Sequence, residues 1–418
     1  MAKVCGIYEA LWLARLHLSS AHALYLHLPF CVRKCAYCDF ASWETPAGDP
    51  LMAAYADSLG RLTAQAADVG LLDGCKTAYV GGGTPSLAGE GLVRLVSDIR
   101  LRAPSLDELT CEANPDSLTD KLLGSLREVG CTRLSIGVQS LSDAELVELG
   151  RIHTAKRANE RLRAAVETGI DVSCDLMCAT PRQTDASWRR SVEGVCEAGV
   201  GHVSVYPLQI EEDTPLGRIV GDDEPAWNDP EVQARRMEQA HELLSAQGLV
   251  RYEVASYARP GKECLHNQAY WTAVPYLGLG TRASSMLTRE AYERLRTVSP
   301  RLPQADEDAS RIRLTCIDGV RAIAGAQGIA DLRYDVEQLD ERQAAAEDLM
   351  LAMRMVRGAG PGLVEHARAV IGATRVDEAL SWCQQQGLAE PAGGSWVPTV
   401  QGWLLGNRLY GRMWELAE

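Results

Sequence analysis

The sequence is short of positive charge. Its 418 residues hold 42 Lys and Arg against 56 Asp and Glu, a formal net charge of −14. A nucleic-acid or anionic-membrane surface would have to be built against that field, so neither partner is expected. Long apolar runs are also missing. Two stretches of about 17 residues carry no formal charge, one ending near Val32 and one from Cys264 to Thr281. Both contain His, Pro and other polar groups that a bilayer core rejects, so the chain does not read as an integral membrane protein. Residues 1–23, an N-terminal extension, do not read as an export signal, because Glu9 and Arg15 break the apolar core and no small-residue cleavage site follows. There is no internal repeat and no low-complexity tract, and a composition 46% hydrophobic and 23% charged excludes a disordered chain.

Cysteine is what the chain has in excess: 13 residues, in a protein too long to be a disulfide-stapled scaffold. An odd number of thiols without an export signal points to reduced cysteines in a cytoplasmic protein.

From residue 24 onward, short apolar or β-branched runs alternate with longer segments of helical period, the pattern of βα units on a parallel sheet. Strands are predicted at Leu24–Leu28, Lys76–Val80, Glu108–Ala113, Arg133–Val138, Asp171–Met177, His202–Leu208 and Arg251–Ala255. They fit an α/β partial parallel (β/α) barrel over residues 24–300. Ser117-x-x-Asp120 resembles a capping box, and Thr184 with Asp185 is placed to cap the following helix. Beyond residue 300 the strand alternation is read as stopping. Gln343–Arg357, Leu363–Ile371 and Val376–Gln386 read as helices, followed by a Gly-rich turn at Gly387–Pro398 and a last helix. Residues 301–418 are therefore expected to form a small helical, winged-helix-like C-terminal domain. Residues 341–418 hold seven Arg and no Lys against nine acidic residues, which argues for a structural or interaction role rather than DNA binding.

Cys31, Cys35 and Cys38 form C-x3-C-x2-C just after the first predicted strand. At this cysteine frequency the pattern arises by chance in roughly one chain in a hundred. On a helix the three positions would share a face, but Pro29 and the pair Arg33-Lys34 argue for a loop. Structural zinc needs four ligands, the fourth coming from His27 or a distant cysteine. A four-iron cluster on three thiolates leaves one iron open for a substrate or cofactor. Spacing alone does not choose between these metals.

The flanks add to it. C-x3-C-x2-C after a first βα strand resembles the radical S-adenosylmethionine (SAM) superfamily. Tyr79-Val80-Gly81-Gly82-Gly83-Thr84-Pro85-Ser86, Cys111-Glu112-Ala113-Asn114-Pro115, Leu134-Ser135-Ile136-Gly137-Val138-Gln139-Ser140, Gly150-Arg151-Ile152-His153-Thr154 and Asp175-Leu176 resemble the anaerobic coproporphyrinogen oxidase family in order and spacing, and within it the HemW-type haem-chaperone branch. The resemblance implies a radical SAM-type barrel with a [4Fe-4S] cluster on Cys31, Cys35 and Cys38 and SAM on its open iron. It implies that Tyr25 and Tyr37 flank the adenine and cluster, that Gly82, Gly83 and Thr84 contact the methionine end, and that Glu112, Gln139, Arg151 and Asp175 bind ribose or carboxylate. The chemistry is consistent: carboxylates and amides accept from ribose hydroxyls, Arg151 has a fork for a carboxylate, and three glycines after a strand leave peptide N–H groups free to face one.

Glu263-Cys264-Leu265-His266-Asn267-Gln268-Ala269-Tyr270-Trp271 contains H-N-x-x-Y-W, which resembles the branch's haem-associated motif. The resemblance implies haem contacts from His266, Asn267, Tyr270 and Trp271, with Cys264 a possible thiolate. Members that decarboxylate porphyrinogens carry a further cysteine two residues after the third cluster cysteine, and Phe40 stands there. A haem chaperone passing haem to an acceptor protein, with an electron donor if the cluster turns over, is the expectation. The alternative within porphyrin metabolism is an oxygen-independent coproporphyrinogen III oxidase, in which a 5′-deoxyadenosyl radical attacks the propionates. Ala179, Arg182, Thr281 and Arg282 depart from the family pattern, standing in stretches where glycine or small residues are usual.

Overall fold

A computed structural model describes residues 18–223 and 225–418. Most of the predicted N-terminal extension, residues 1–17, lies outside the described residues.

The strands are β1 (Ala23–Leu28), β2 (Phe30–Cys31), β3 (Trp43–Glu44), β4 (Thr77–Gly82), β5 (Glu108–Ala113), β6 (Arg133–Gln139), β7 (Asp171–Cys178), β8 (His202–Pro207), β9 (Val250–Arg251), β10 (Ser256–Ala258), β11 (Tyr276–Leu279), β12 (Ser284–Leu287), β13 (Arg311–Cys316), β14 (Tyr334–Leu339), β15 (Ala389–Ala392) and β16 (Ser395–Pro398). One 12-stranded sheet has the order β14-β13-β12-β11-β1-β4-β5-β6-β7-β8-β10-β9. From β11 through β1 to β8 every pairing is parallel, which makes a partial barrel. Helices such as Pro50–Asp68 and Glu90–Arg102 link successive strands. Along β1 the period of two sends Leu24, Leu26 and Leu28 into one core with Leu59 and Leu62 of the first of these helices, while Tyr25 and His27 take the opposite face.

Six of the seven predicted strands form as parallel barrel strands. The seventh, predicted at Arg251–Ala255, does not: its stretch supplies only part of β9, and β10 pairs antiparallel with β8. The cause is Glu253, which is 2% exposed, accepts from Ala255 N at 3.2 Å and bridges to Met355, breaking the run. The seventh parallel strand is instead β11, beside β1. The expectation that strands end near residue 300 is also corrected, because β13 and β14 extend the large sheet. A second hydrophobic core, from Ala345 to Leu416, follows. Its helices are Glu341–Ala352, Pro361–Ile371 and Ala373–Gln385, and the predicted turn at Gly387–Pro398 is the hairpin β15–β16, whose Gly393 and Gly394 both have positive φ. This arrangement is winged-helix-like.

Of the predicted caps, Thr184 forms a capping box with Ser187. Ser117 caps nothing. Thr119 takes that role, accepting from Leu122 N at 3.2 Å, while Ser117 Oγ lies 2.6 Å from Ser86 Oγ.

The sheet and the second core are joined by buried ions. Arg311 on β13 donates to Glu347 and, at 2.6 Å, to Asp348, and Arg313 also reaches Glu347. Removing one partner of such a network leaves charge unpaired in a poor solvent. Arg311→Ala is expected to lower stability by about 3–5 kcal/mol in urea unfolding.

Ala179, Arg182 and Arg282, three of the departures from the family pattern, have φ of 56°, 63° and 57°, where glycine is favoured. Arg282 is exposed, so its substitution isolates the backbone term. Arg282→Gly is expected to raise the unfolding free energy by up to about 1 kcal/mol, read from the denaturant midpoint.

Candidate functional site

The three motif cysteines occupy the loop that leaves β2 and returns at β3. The loop is tied down at both ends: Trp43 N donates to Pro29 O at 2.7 Å and Thr45 N to Cys31 O at 2.8 Å. Its middle is pinned where Ala36 N donates to Leu149 O at 3.1 Å and Leu216 N to Ala36 O at 2.8 Å. The thiols are free and half-buried. Thr84 Oγ1 lies 3.6 Å from Cys31 Sγ and Arg151 Nη1 3.3 Å from Cys35 Sγ, the Phe40 backbone hydrogen-bonds the Cys38 thiol, and the loop backbone turns where Cys38 N donates to Cys35 O at 3.2 Å. Burial holds the Cys31 and Cys38 thiols above their usual range, so metal binding has to displace their protons.

Among the described residues no three His, Cys, Asp or Glu side chains converge on a single-ion position. His27, the fourth ligand a zinc site could recruit, has both ring nitrogens engaged, by Tyr25 Oη at 2.9 Å and Ala41 O at 2.8 Å. Three thiols on one constrained loop, without a fourth ligand, fit an iron–sulfur cluster that leaves one iron open, and do not fit closed zinc.

The glycine run follows β4. A Cβ at Gly83 would lie 2.9 Å from Cys31 Sγ and 2.7 Å from Phe30 O, so only glycine lets this loop pass so close to the cysteine. The peptide N–H groups are not free, contrary to the sequence reading. Gly83 N donates to Leu28 O and Thr84 N to Phe30 O, both at 2.8 Å. Gly82 N does face a carboxylate, but it is that of Glu112, at 3.0 Å.

A cavity of about 470 Å³ runs through the barrel, from Tyr37, Cys38 and Phe40 at one end to Arg133, His202, Cys264 and Asn267 at the other. Its wall follows the period of two along the strands: Thr110 and Glu112, Arg133 and Ser135, Ser173 and Asp175, His202, Ser204 and Tyr206. Glu112 accepts from Tyr79 Oη at 2.8 Å as well as from Gly82 N, and burial pushes its pKa up to about 7. Asp175 accepts from Ser135 Oγ at 3.2 Å, and burial pushes it up to about 6. Gln139 lines the same cavity, turned in by a bulge in the β6–β7 pairing and a φ of 67°. A cavity with two ionisable carboxyls, an amide and aromatic rims, opening beside the cysteine loop, fits a nucleoside carrying a positive charge.

Arg151 lies at the same end but differs from expectation. Nη1 meets Cys35, and Nη2 donates to Asn114 Oδ1 at 2.7 Å and Gly137 O at 2.6 Å. Its fork is engaged within the protein and braces the cysteine loop. Arg282, exposed between β11 and β12, does not line the cavity.

The H-N-x-x-Y-W segment is the helix Leu265–Trp271. Glu108 holds its start, accepting from Leu265 N at 3.1 Å and His266 N at 3.0 Å, and Arg133 pairs with Glu108 at 3.0 Å. The four expected haem contacts do not share one open face. Asn267 lines the cavity. His266 is 1% exposed, with Nδ1 2.9 Å from Thr77 Oγ1 and Nε2 3.1 Å from Tyr270 Oη, and burial lowers its pKa to about 3. Trp271 Nε1 donates to Glu253 at 3.2 Å, and its ring lies under Arg354 of the second core. Cys264 donates to Glu108 and is buried at the inner end of the cavity.

Tyr79, Asn114, Arg133, Glu108 and His202 escaped the sequence reading as site residues. Most could have been found by extending the alternation of β4, β5, β6 and β8 inward from Glu112 and Asp175.

This open barrel, with three cysteines on its first loop and a nucleoside-sized cavity beside them, defines the radical SAM class. The family model described as the Radical SAM superfamily matches residues 25–194. The haem chaperone HemW of Mycobacterium tuberculosis is 40% identical over 271 residues, covering 62% of this chain and 68% of its own. HemW of Escherichia coli K12 is 36% identical over 295 residues, covering 68% and 74%. The chain belongs to the HemW haem-chaperone family. Coproporphyrinogen III oxidase (HemN) of Escherichia coli shares the fold, with a TM-score of 0.73 at 19% identity over 97% of this chain and 93% of that one.

The raised pKa of Glu112 sets the sign of a pH test. Its carboxylate form accepts hydroxyl donors best, and that form is lost as pH falls below about 7. Affinity for SAM, measured by calorimetry on the reconstituted protein, is expected to fall between pH 8 and about pH 6, and Glu112→Gln is expected to remove the upper part of that slope, leaving the part near pH 6 that Asp175 contributes.

Proposed function

We propose that this chain is a haem carrier: it takes up haem, uses the [4Fe-4S]–SAM centre to control its release, and hands it to an acceptor protein. The observation that carries the reading is the H-N-x-x-Y-W segment folded as one helix against the cofactor cavity, with Asn267 in the cavity wall. Cys31, Cys35 and Cys38 hold the cluster. Tyr37, Glu112, Gln139 and Asp175 bound the space for SAM, with Gly82, Gly83 and Thr84 shaping its edge and Tyr25 behind Tyr79. When bound, the cluster and SAM supply one-electron chemistry at the open iron. The protein's own part is to hold Glu112 and Asp175 near their ionisation points in a partly dry cavity, to brace Cys35 with Arg151, and to keep the haem-motif helix anchored at Glu108. His266, Asn267, Tyr270 and Trp271 are the haem contacts in this reading, reached after His266 leaves its closed position.

Phe40 favours the carrier over porphyrinogen decarboxylation. It is 67% exposed at the mouth of the cavity, where it offers a flat apolar face in place of a thiol. The acceptor is a protein, an electron donor joins it if the cluster turns over, and the carrier works in the cytoplasm in this reading. Among the described residues no helix is long and apolar enough to cross a membrane.

Anaerobic iron–sulfide reconstitution is expected to give an iron content and visible absorption that Cys38→Ser loses. Hemin titration is expected to give a Soret spectrum that changes in His266→Ala. Reduced protein with SAM and coproporphyrinogen III is expected to yield no protoporphyrinogen. Product formed without a His266-dependent haem spectrum would overturn the carrier reading in favour of the oxidase.

A further inference from the structure

His266 is a poor haem ligand as it stands. A haem iron needs the lone pair of one ring nitrogen, and both nitrogens are engaged, by Thr77 and by Tyr270. The ring is also stacked on Tyr79, with centroids 5.2 Å apart and planes at 29°. Tyr79 cannot simply slide away, because Tyr25 stacks near its side at 6.2 Å and 27°, and because its hydroxyl donates to Glu112 at 2.8 Å. Both holds on His266 from the barrel therefore come from β4: Thr77 grips the nitrogen and Tyr79 covers the face. The backbone of His266 is anchored separately, through Glu108 and Arg133. The imidazole can leave its pocket while the helix stays where it is.

We propose that Tyr79 is a positioning residue that ties the accessibility of His266 to occupancy of the Glu112 site. A ligand diol that bonds both oxygens of Glu112 competes with the Tyr79 hydroxyl for Oε1. Once the hydroxyl is displaced, only the stack on Tyr25 still holds the Tyr79 ring, so the ring can turn on that face and His266 loses the fixed surface that holds it in. Cofactor and haem then raise each other's affinity by the same factor, as linkage requires. This inference rests on the proposed function, since it takes Glu112 as the cofactor carboxylate and His266 as the haem ligand, and it supplies the coupling between them. No covalent or redox step is involved.

The experiment is a hemin titration, read at the Soret band, on the full cluster-reconstituted chain with and without SAM and with no reductant present. In the parent, SAM is expected to tighten hemin binding by at least about fivefold. Tyr79→Phe keeps the ring and loses the hydroxyl, so without SAM it is expected to bind hemin as tightly as the SAM-loaded parent, with no further response to SAM. A merely structural role for Tyr79 would weaken hemin binding instead. Thr77→Val removes the hold on Nδ1 and is expected to tighten hemin binding without SAM while keeping the SAM response, which carries the test if Tyr79→Phe does not fold. The proposal is overturned if SAM leaves the parent's hemin affinity unchanged, if Tyr79→Phe keeps the parent's response or binds hemin more weakly, or if Thr77→Val matches the parent. The underlying haem assignment fails separately, whatever SAM does, if His266→Ala keeps the parent's spectrum and affinity.

Discussion

The bond from Tyr79 to Glu112 is the point on which the site turns. Glu112 is a carboxylate inside a barrel, and its burial is tolerable because Tyr79 Oη and Gly82 N both donate to it. Tyr79 and Gly82 belong to β4, whose next residues, Gly83 and Thr84, pass against Cys31. Two residues before Tyr79 on the same strand, Thr77 reaches His266. One strand thus touches the cysteine loop, the cavity carboxylate and the haem-motif helix. The period of two decides which of its side chains point inward to do so.

Around that strand the barrel separates two environments. The outward residues of β1 and β4 to β8 are aliphatic or, at Cys111, Cys174 and Cys178, thiols, and they pack on helices, whereas the inward residues are mostly hydroxyls, carboxyls, imidazole and guanidinium. A polar lumen of this kind is costly to bury without partners, and the partners are present in networks: Glu108 with Arg133 and the helix Leu265–Trp271, Asp175 with Ser135, and His202 with Ser173 at 2.7 Å and Tyr252 at 2.8 Å. The same device recurs outside the lumen, where Arg311, Glu347 and Asp348 lock the second core to the sheet.

Much of the architecture was legible in the chain. The six parallel barrel strands were readable because each is a short apolar run between helical segments of clear period. β13 and β14 were not. They alternate charged with apolar residues, as in Arg311-Ile312-Arg313-Leu314, with β14 half-exposed at the sheet edge and the charges of β13 paired only after folding, so both are easily taken for loop. Arg251–Ala255 misled in the opposite sense, since its composition suits a strand while the buried Glu253 interrupts the ladder.

The cluster cysteines, the cavity carboxyls and the haem motif can be read off the chain because their spacing is local and chemically specific. Thiols four and three positions apart must sit on one short segment, and a polar residue near the end of a parallel strand faces the barrel mouth or its wall. What the chain could not reveal is which groups are already engaged once folded. Arg151 and the glycine-run amides read as free binding groups and are bonded within the protein, and His266 reads as a ready ligand and is closed on all sides. Most of the deciding partners lie 14 to 189 positions away in sequence, such as Gly137 for Arg151 and Thr77 for His266, and only Tyr270, four residues from His266, is local. Hydrogen-bond satisfaction is a property of the packed interior, where most buried donors find a neighbour, and no local pattern encodes which distant neighbour the fold brings to them.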